Sequence, residues 1–360
     1  MPIFMDRHDV SENVSAEILA EIHQEDLKIE KDFNCKGFTY WFDGKRKHVF
    51  CLIEAPNKEA IEDMHRQAHG DVPNTIIEVE PDIVESFLGR ISDPENKKNT
   101  SLNIIEDSAF RILMVVKVNS TLQHNTKTTN KNYTKELNNC INDLIQQNQG
   151  TLVKKRTNYY LISFTSAAQA VSCALRLNLA MKPKHCSDTI LKIGIASGDP
   201  VTNKAEIFED TIMLTNQLCE HVDSEITITY EVKTLYENEK NIFIKSHSNI
   251  RVLLPSEEKF LTSLIQITEH SWQNPEFNID DFSENIGYSK SQLYRKLTNL
   301  TGKSPNSFIK DFRLNRAKYL LEQQKGNISE IAFETGFNSL AYFSKCFKNK
   351  FNILPSQYLA

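Results

Sequence analysis

The strongest constraint on the fold is a sentence written twice near the C-terminus. NIDDFSENIGYSKSQLYRKL, residues 278–297, returns 49 residues later as NISEIAFETGFNSLAYFSKCF, residues 327–347. Each copy has a polar cap followed by apolar positions at helical spacing, Ile279, Phe282 and Ile286 or Ile328, Ile331 and Ala332. Each then has a glycine (Gly287, Gly336), an aromatic (Tyr288, Phe337) and a second amphipathic stretch. Asn278 with Asp281, Ser289 with Gln292 and Asn327 with Glu330 have capping-box spacing, which satisfies the orphan amides of a first helical turn. The pattern predicts two helix-turn-helix units. Between them Ser304-Pro305 starts another helix, with Phe308, Phe312, Ala317, Leu320 and Leu321 turned inward and Lys310, Arg313, Arg316 and Lys318 interspersed.

Charge follows the same division. The whole chain carries a net charge of −5, yet from Asn278 onward 12 Lys and Arg face only 7 Asp and Glu. The preceding residues are acidic, with 30 basic side chains against 40 acidic ones. A basic module on an acidic remainder suits a protein that touches phosphate with one end.

The pieces IGYSKSQLYRKLTNLTGKSPNSFIKDFRLNRAKYLLEQ and ISEIAFETGFNSLAYFSKCFKNKFNILPSQYLA resemble the AraC/XylS family of transcription regulators. The resemblance implies an all-helical double helix-turn-helix over residues 255–360 that binds double-stranded DNA. One helix of each unit would lie in successive major grooves, about 34 Å apart. Carried over by position, Ser291, Tyr294 and Arg295 of the first unit would meet bases, with Lys290 and Lys296 on phosphate. In the second unit Asn338, Ser339, Ser344 and Lys345 take the base positions and Lys348 the phosphate position. Arg and Lys suit guanine edges, and Asn and Ser are adaptable hydrogen-bonders.

Residues 1–92 read as a small α/β unit. PIFMDRH, FTYWFD, HVFCLIEA and TIIEVEP are strands, Asp43-Gly44 is a hairpin turn, and helices run from Ser15 to Asp32 and from Asn57 to His69. The order βαββαβ is that of the ferredoxin-like plait. His65 and His69, four residues apart on one helix, can converge on a metal. His8 is the expected third ligand; Asp6, Asp9, His23 and Cys51 are nearby in this reading. MPIFMDRHDV, TYWFD, VFCLIEAPNKEAIEDMHRQAHG and IIEVEP resemble a family of ferredoxin-like domains, some of them nickel-binding. The cofactor implied is a divalent transition metal, and imidazole suits Ni, Zn and Cu alike. Both helix histidines are expected on an exposed face, dispensable for folding, with metal affinity falling below about pH 6.5.

The polar stretch 93–107 reads as a linker, and 108–254 as an α+β domain opening on the buried strand RILMVVKV. YYLISFTSAAQAVSCALRL, LKIGIASGDPV and FEDTIMLTNQLCEHVDSEITITYEVKTLY resemble class III nucleotidyl cyclases. Aligned through Ser120-Thr121, Val116 and Asn158 stand where that family has its two metal-binding aspartates. Met213 and Gln217 stand in place of its asparagine and transition-state arginine. Without those groups pyrophosphate displacement has no electrostatic support, so the expected domain is not an enzyme. The resemblance still implies a fold that pairs into homodimers, and the glycine-rich GIASGDP is a weak ligand-binding signal.

The fold class expected is thus multidomain α/β plus all-α. Seven dispersed cysteines without a CxxC pair read as reduced thiols, and no apolar run is long enough to span a membrane, so a cytoplasmic location is expected. The combined expectation is a DNA-binding regulator whose N-terminal domains sense a metal or small molecule, dimerise, or both. The alternative is a metal-binding or enzymatic protein with an accessory DNA-binding tail.

Overall fold

The structure, a computed structural model, describes residues 1–95, 102–120, 129–181, 189–240 and 249–358. Residues 96–101 of the expected linker, Thr121 and Cys186 lie outside the described residues. Two compact units are formed: Met1–Glu220 with Ser224–Leu253, and His221–Asp223 with Leu254–Ala360.

The first unit opens with β1 (Ile3–Asp9), α1 (Ala16–Ile29) and a 3-10 turn (Glu30–Phe33). β2 (Lys36–Asp43), β3 (His48–Glu54), α2 (Lys58–Ala68) and β4 (Thr75–Val79) follow. The strands pair antiparallel in the order β2-β3-β1-β4, the ferredoxin-like plait. Caps fix the helix starts: the Ser15 side chain accepts the Ile18 N–H, and Asn57 accepts that of Ala60. Strand alternation then sorts β1 into two faces. Phe4 packs with Ile53, Ile61 and Met64 under the helices, while Met5 joins Trp41, Phe50 and Leu52 on the opposite face.

That opposite face is covered by the next part of the chain. After α3 (Pro81–Leu88) come β5 (Arg111–Ser120), α4 (Thr129–Gln147), β6 (Thr151–Arg156), β7 (Tyr159–Phe164) and α5 (Ala167–Met181). Then follow β8 (Thr189–Gly198), α6 (Glu209–His221), β9 (Ile226–Thr229), α7 (Tyr230–Lys240) and β10 (Ile250–Leu253). The six strands order as β10-β9-β8-β5-β7-β6, with β8, β9 and β10 mutually parallel and the other pairs antiparallel. β5 is buried on both sides. Ile112, Met114 and Val116 meet α4, α5 and α7, while Leu113 and Val115 share one core with Met5, Trp41 and Phe50 of the plait. α6 crosses β8 so closely that a Cβ on Gly194 would lie 2.3 Å from the Thr215 carbonyl oxygen.

Two local features hold these layers together. Arg111, buried at the start of β5, donates to the carbonyls of Phe87 (3.0 Å) and Leu88 (3.1 Å), satisfying the open C-terminal end of α3. Burial pushes this guanidinium down to about 10, still charged at neutral pH. Residues 102–107, expected within a linker, are docked: Ile105 is buried with Leu19, Tyr40 and Phe42, and the Phe42 N–H donates to Asp107 (2.8 Å). α3 itself was not foreseen. At eight residues its period is too brief to register, and Pro81, which reads as closing a strand, instead supplies the pre-set φ of a first helical turn.

The second unit is all helix: α8 (Pro255–Ser271), α9 (Ile279–Ile286), α10 (Lys290–Thr301), α11 (Pro305–Glu322), α12 (Ile328–Glu334), α13 (Leu340–Phe351) and α14 (Pro355–Tyr358). All three expected capping boxes form, at Asn278, Ser289 and Asn327. α8, also unforeseen, packs on the first helix-turn-helix through Phe260 against Tyr288, ring centroids 5.7 Å apart. Among the described residues no helix is long and apolar enough to cross a membrane.

Candidate metal centre and nucleic-acid interface

The plait gathers its histidines between β1, α1 and α2. His65 Nδ1 lies 3.0 Å from His69 Nε2 and 3.2 Å from Asp26 Oδ1, and His69 Nε2 is 3.2 Å from the same oxygen. On its other side His65 Nε2 meets Asp6 Oδ2 at 3.1 Å, and Asp6 Oδ1 accepts the Cys51 N–H at 2.9 Å. The third corner of the triangle is therefore Asp26 of α1, not His8. His8 is buried beside it, its ring 5.0 Å from that of His65, but its donor atoms group with those of Asp6 and Cys51. Asp26 escaped the sequence because it lies 39 residues from His65; its one local signal is a carboxylate on the inner side of an amphipathic helix.

The expectation of exposed, dispensable helix histidines is corrected. His65 is 1% exposed, because α2 turns this side chain onto the sheet together with Ile61 and Met64. Burial alone would lower its pKa, but the hydrogen bonds it donates to the Asp26 and Asp6 carboxylates outweigh this and push it up to about 10. The metal-free site thus holds an imidazolium clamped between two carboxylates. Asp6 responds in the opposite sense: burial would raise it, and the charge of His8 with the hydrogen bond of His65 holds it far below the carboxylate range. Asp26 is also lowered, its burial offset by hydrogen bonds from His65 and His69. Burial, with the carboxylates of Asp6 and Asp26, pushes the Cys51 thiol well up, so it remains protonated. His23 is lowered by burial and stands against Tyr40.

These residues fit a divalent metal. Three donors about 3.1 Å apart match one face of a coordination polyhedron with bonds of about 2.1 Å. Asp6 on the far nitrogen of His65 is the outer carboxylate that metal-bound imidazoles commonly engage.

In the second unit the glycine turns are enforced. Gly287 has φ 74° and Gly336 φ 76°; a Cβ on Gly336 would also sit 2.6 Å from the Trp272 carbonyl oxygen. Arg313 pins the same corner by donating to the carbonyls of Trp272 (2.8 Å) and Asn274 (2.6 Å). Leu293, Leu297 and Leu300 bury one side of α10, which leaves Lys290, Ser291, Tyr294 and Arg295 exposed on the other. Lys290 pairs with Asp280, and Lys296 is half-buried with its ammonium over the Tyr288 ring at 5.0 Å. On α13, Phe343, Cys346 and Phe347 point inward, and Lys345 and Lys348 are exposed. Asn338 is exposed before the helix, and Ser339 caps it by accepting the Tyr342 N–H. Ser344 is half-buried. Tyr342, 53% exposed and one turn before Lys345, shares that outer face; its i, i+3 spacing was the signal for it.

Two helix-turn-helix units flanking one long helix make the C-terminal segment a double helix-turn-helix of the AraC type, and the N-terminal segment is a ferredoxin-like plait. Residues 282–360 match the family described as helix-turn-helix domain, and residues 4–79 that described as nickel responsive protein SCO4226-like. Among curated proteins, the chain is 40% identical over 134 residues to histidine kinase P4 of Formosa agariphila, covering 35% of this chain and 10% of that protein. It is 32% identical over 94 residues to the HTH-type transcriptional activator RhaS of Mannheimia succiniciproducens, covering 26% and 35%. The chain therefore spans well under two thirds of either relative. Among solved structures, SCO4226 from Streptomyces coelicolor A3(2) is 35% identical, covering 21% of this chain and 94% of that one, with a TM-score of 0.21.

Proposed function

We propose that the chain is a sequence-specific, cytoplasmic transcription regulator that binds double-stranded DNA and takes a divalent transition metal as its effector. The observation that carries the DNA half is the outward basic and polar face on both α10 and α13, behind glycine turns with positive φ. The metal half rests on the Asp26–His65–His69 triangle, which would hold Ni, Zn or Cu. A bound ion supplies two positive charges and a fixed geometry where the metal-free site has a protonated imidazole. The test is DNA binding by the full chain, with sites selected from random sequence, in chelator and in each metal. Specific binding that changes about 5- to 150-fold with metal is expected, the span of ordinary allosteric coupling. Sequence-indifferent binding refutes the regulator, and equal affinities with and without bound metal refute the effector role.

Metal uptake carries a proton signature. The Asp71 N–H points at His69 Nδ1 (3.2 Å), which places that ring's proton on Nε2, facing Asp26. To ligate through Nε2, His69 must pass this proton to Nδ1, giving up the Asp71 N–H, and His65 must lose one to solvent. With His65 pushed up to about 10, roughly one proton per metal leaves at pH 7.5, and affinity keeps rising with pH well above 6.5. Calorimetry in two buffers of different ionisation enthalpy measures this; equal heats in both contradict it.

The middle segment belongs to this proposal as a cyclase-like, non-catalytic support able to pair with a second copy. Val116 lies in the β5 core and Asn158 in the β6–β7 turn, and neither is a carboxylate. Gln217 is buried and Met213 exposed on α6. No cyclic nucleotide is expected from ATP or GTP with Mg or Mn, and accumulation above a heat-inactivated control would show the opposite.

A further inference from the structure

The donor triangle does not face a closed core. Asp26, His65 and His69 line a cavity of about 50 Å³ whose remaining wall includes Val10, Val14, Leu19, Ile22, Tyr40 and Val49. That is space for on the order of four water-sized positions. A structural metal site fills its coordination from protein and leaves no such room; a site that works on a further ligand keeps a position open. Asp26, His65 and His69 would hold an ion with three donors, which would leave a further coordination position for another ligand. The Tyr40 hydroxyl is already engaged with Asn103 and Ile105, while His8, His23, Cys51 and Asp71 also line the cavity beside the triangle.

We propose that this cavity is a second binding site, for a small uncharged molecule that coordinates the protein-bound metal through one nitrogen and rests its carbon body on Val14, Leu19, Ile22 and Val49. It rests on the metal reading above. The cavity sets its polar groups, the donor triangle among them, against a hydrocarbon wall of Val14, Leu19, Ile22 and Val49, which suits a donor atom on an apolar body. Borderline divalent ions held by imidazole and carboxylate accept such a nitrogen donor. Regulation would then answer to the metal and its ligand together rather than to the ion alone.

The test uses the full chain loaded with Ni or Co, with imidazole as the probe. Metal uptake is first measured alone. Imidazole is then titrated while the visible d–d absorption is followed, and gel filtration checks that the metal stays on the protein. A saturable spectral shift with metal retained is expected. Ile22→Trp and Val14→Phe, at half-buried positions where a larger side chain grows into the cavity, should keep metal affinity within about twofold and weaken imidazole at least tenfold. Metal uptake without a spectral response overturns this inference alone, as does an unchanged imidazole midpoint in whichever variant is folded. Loss of the metal to imidazole in solution also overturns it. Failure to take up metal at all removes the metal reading and this site with it.

Discussion

His65→Ala is expected to destabilise the metal-free chain by about 3–5 kcal/mol, the usual cost of removing one partner from a buried charged network. Among the described residues, His65 hydrogen-bonds both the buried Asp6 of β1 and Asp26 of α1. Without it the Asp6 carboxylate keeps the Cys51 N–H but loses its imidazolium. Urea unfolding followed by circular dichroism measures the effect, and a loss below about 1 kcal/mol would show that the clamp contributes only as an ordinary surface pair does. The pH dependence has a defined sign. His65 is raised from 6.5 to about 10, so its contribution is complete below pH 6.5 and lost as pH rises through about 10. Asp6 is lowered from 3.8, so its contribution is present above that value and lost as pH falls. The wild type should be most stable between these limits, and His65→Ala should lack the alkaline loss.

Arg295→Ala and Lys345→Ala together should weaken specific DNA binding by about 2–6 kcal/mol. Each would remove a proposed base-reading group worth about 1–3 kcal/mol, and the two lie on separate helices, α10 and α13, so their effects should add. Each single change should relax preference at its own position of the selected site. Lys348→Ala serves as the comparison: as a phosphate contact it should weaken all sequences alike and reduce the salt slope by about one. The half-buried Ser344 is the weakest of the proposed contacts, and Lys296, drawn over Tyr288, reaches phosphate only by leaving that ring. Binding assays on a permuted set of sites decide between these outcomes. A uniform loss in both single variants would reduce Arg295 and Lys345 to backbone contacts.

What the sequence displayed and what it hid follow from interaction range. The caps at Asn278, Ser289 and Asn327 reach three residues along the chain, so spacing reveals them. The His65–His69 pair is one helical turn and is equally visible. Asp26 completes that site from another helix, and only the folded sheet brings it there. The same holds for burial: helical spacing says that His65 and His69 are neighbours but not which way α2 faces. Ile104 and Ile105 sit in a polar stretch whose average character says linker, although two apolar side chains suffice to dock it. The double helix-turn-helix is legible almost whole because its contacts are short-range; α8 falls outside the repeat that gives the rest away.

Because the plait and the six-stranded sheet share a core through Met5, Trp41, Phe50, Leu113 and Val115, the chain has no thermodynamic seam where composition suggests one. Cutting after residue 92 would bare aromatic surface on both pieces, so the plait is a poor candidate for study as an excised fragment. The sharing also spreads the reach of an effector. A ligand that binds only the native fold raises stability by a term that grows with the logarithm of its concentration. In a jointly melting body that gain covers every strand at once, so occupancy of a few donor atoms on α1 and α2 would be felt as resistance to proteolysis as far away as β10.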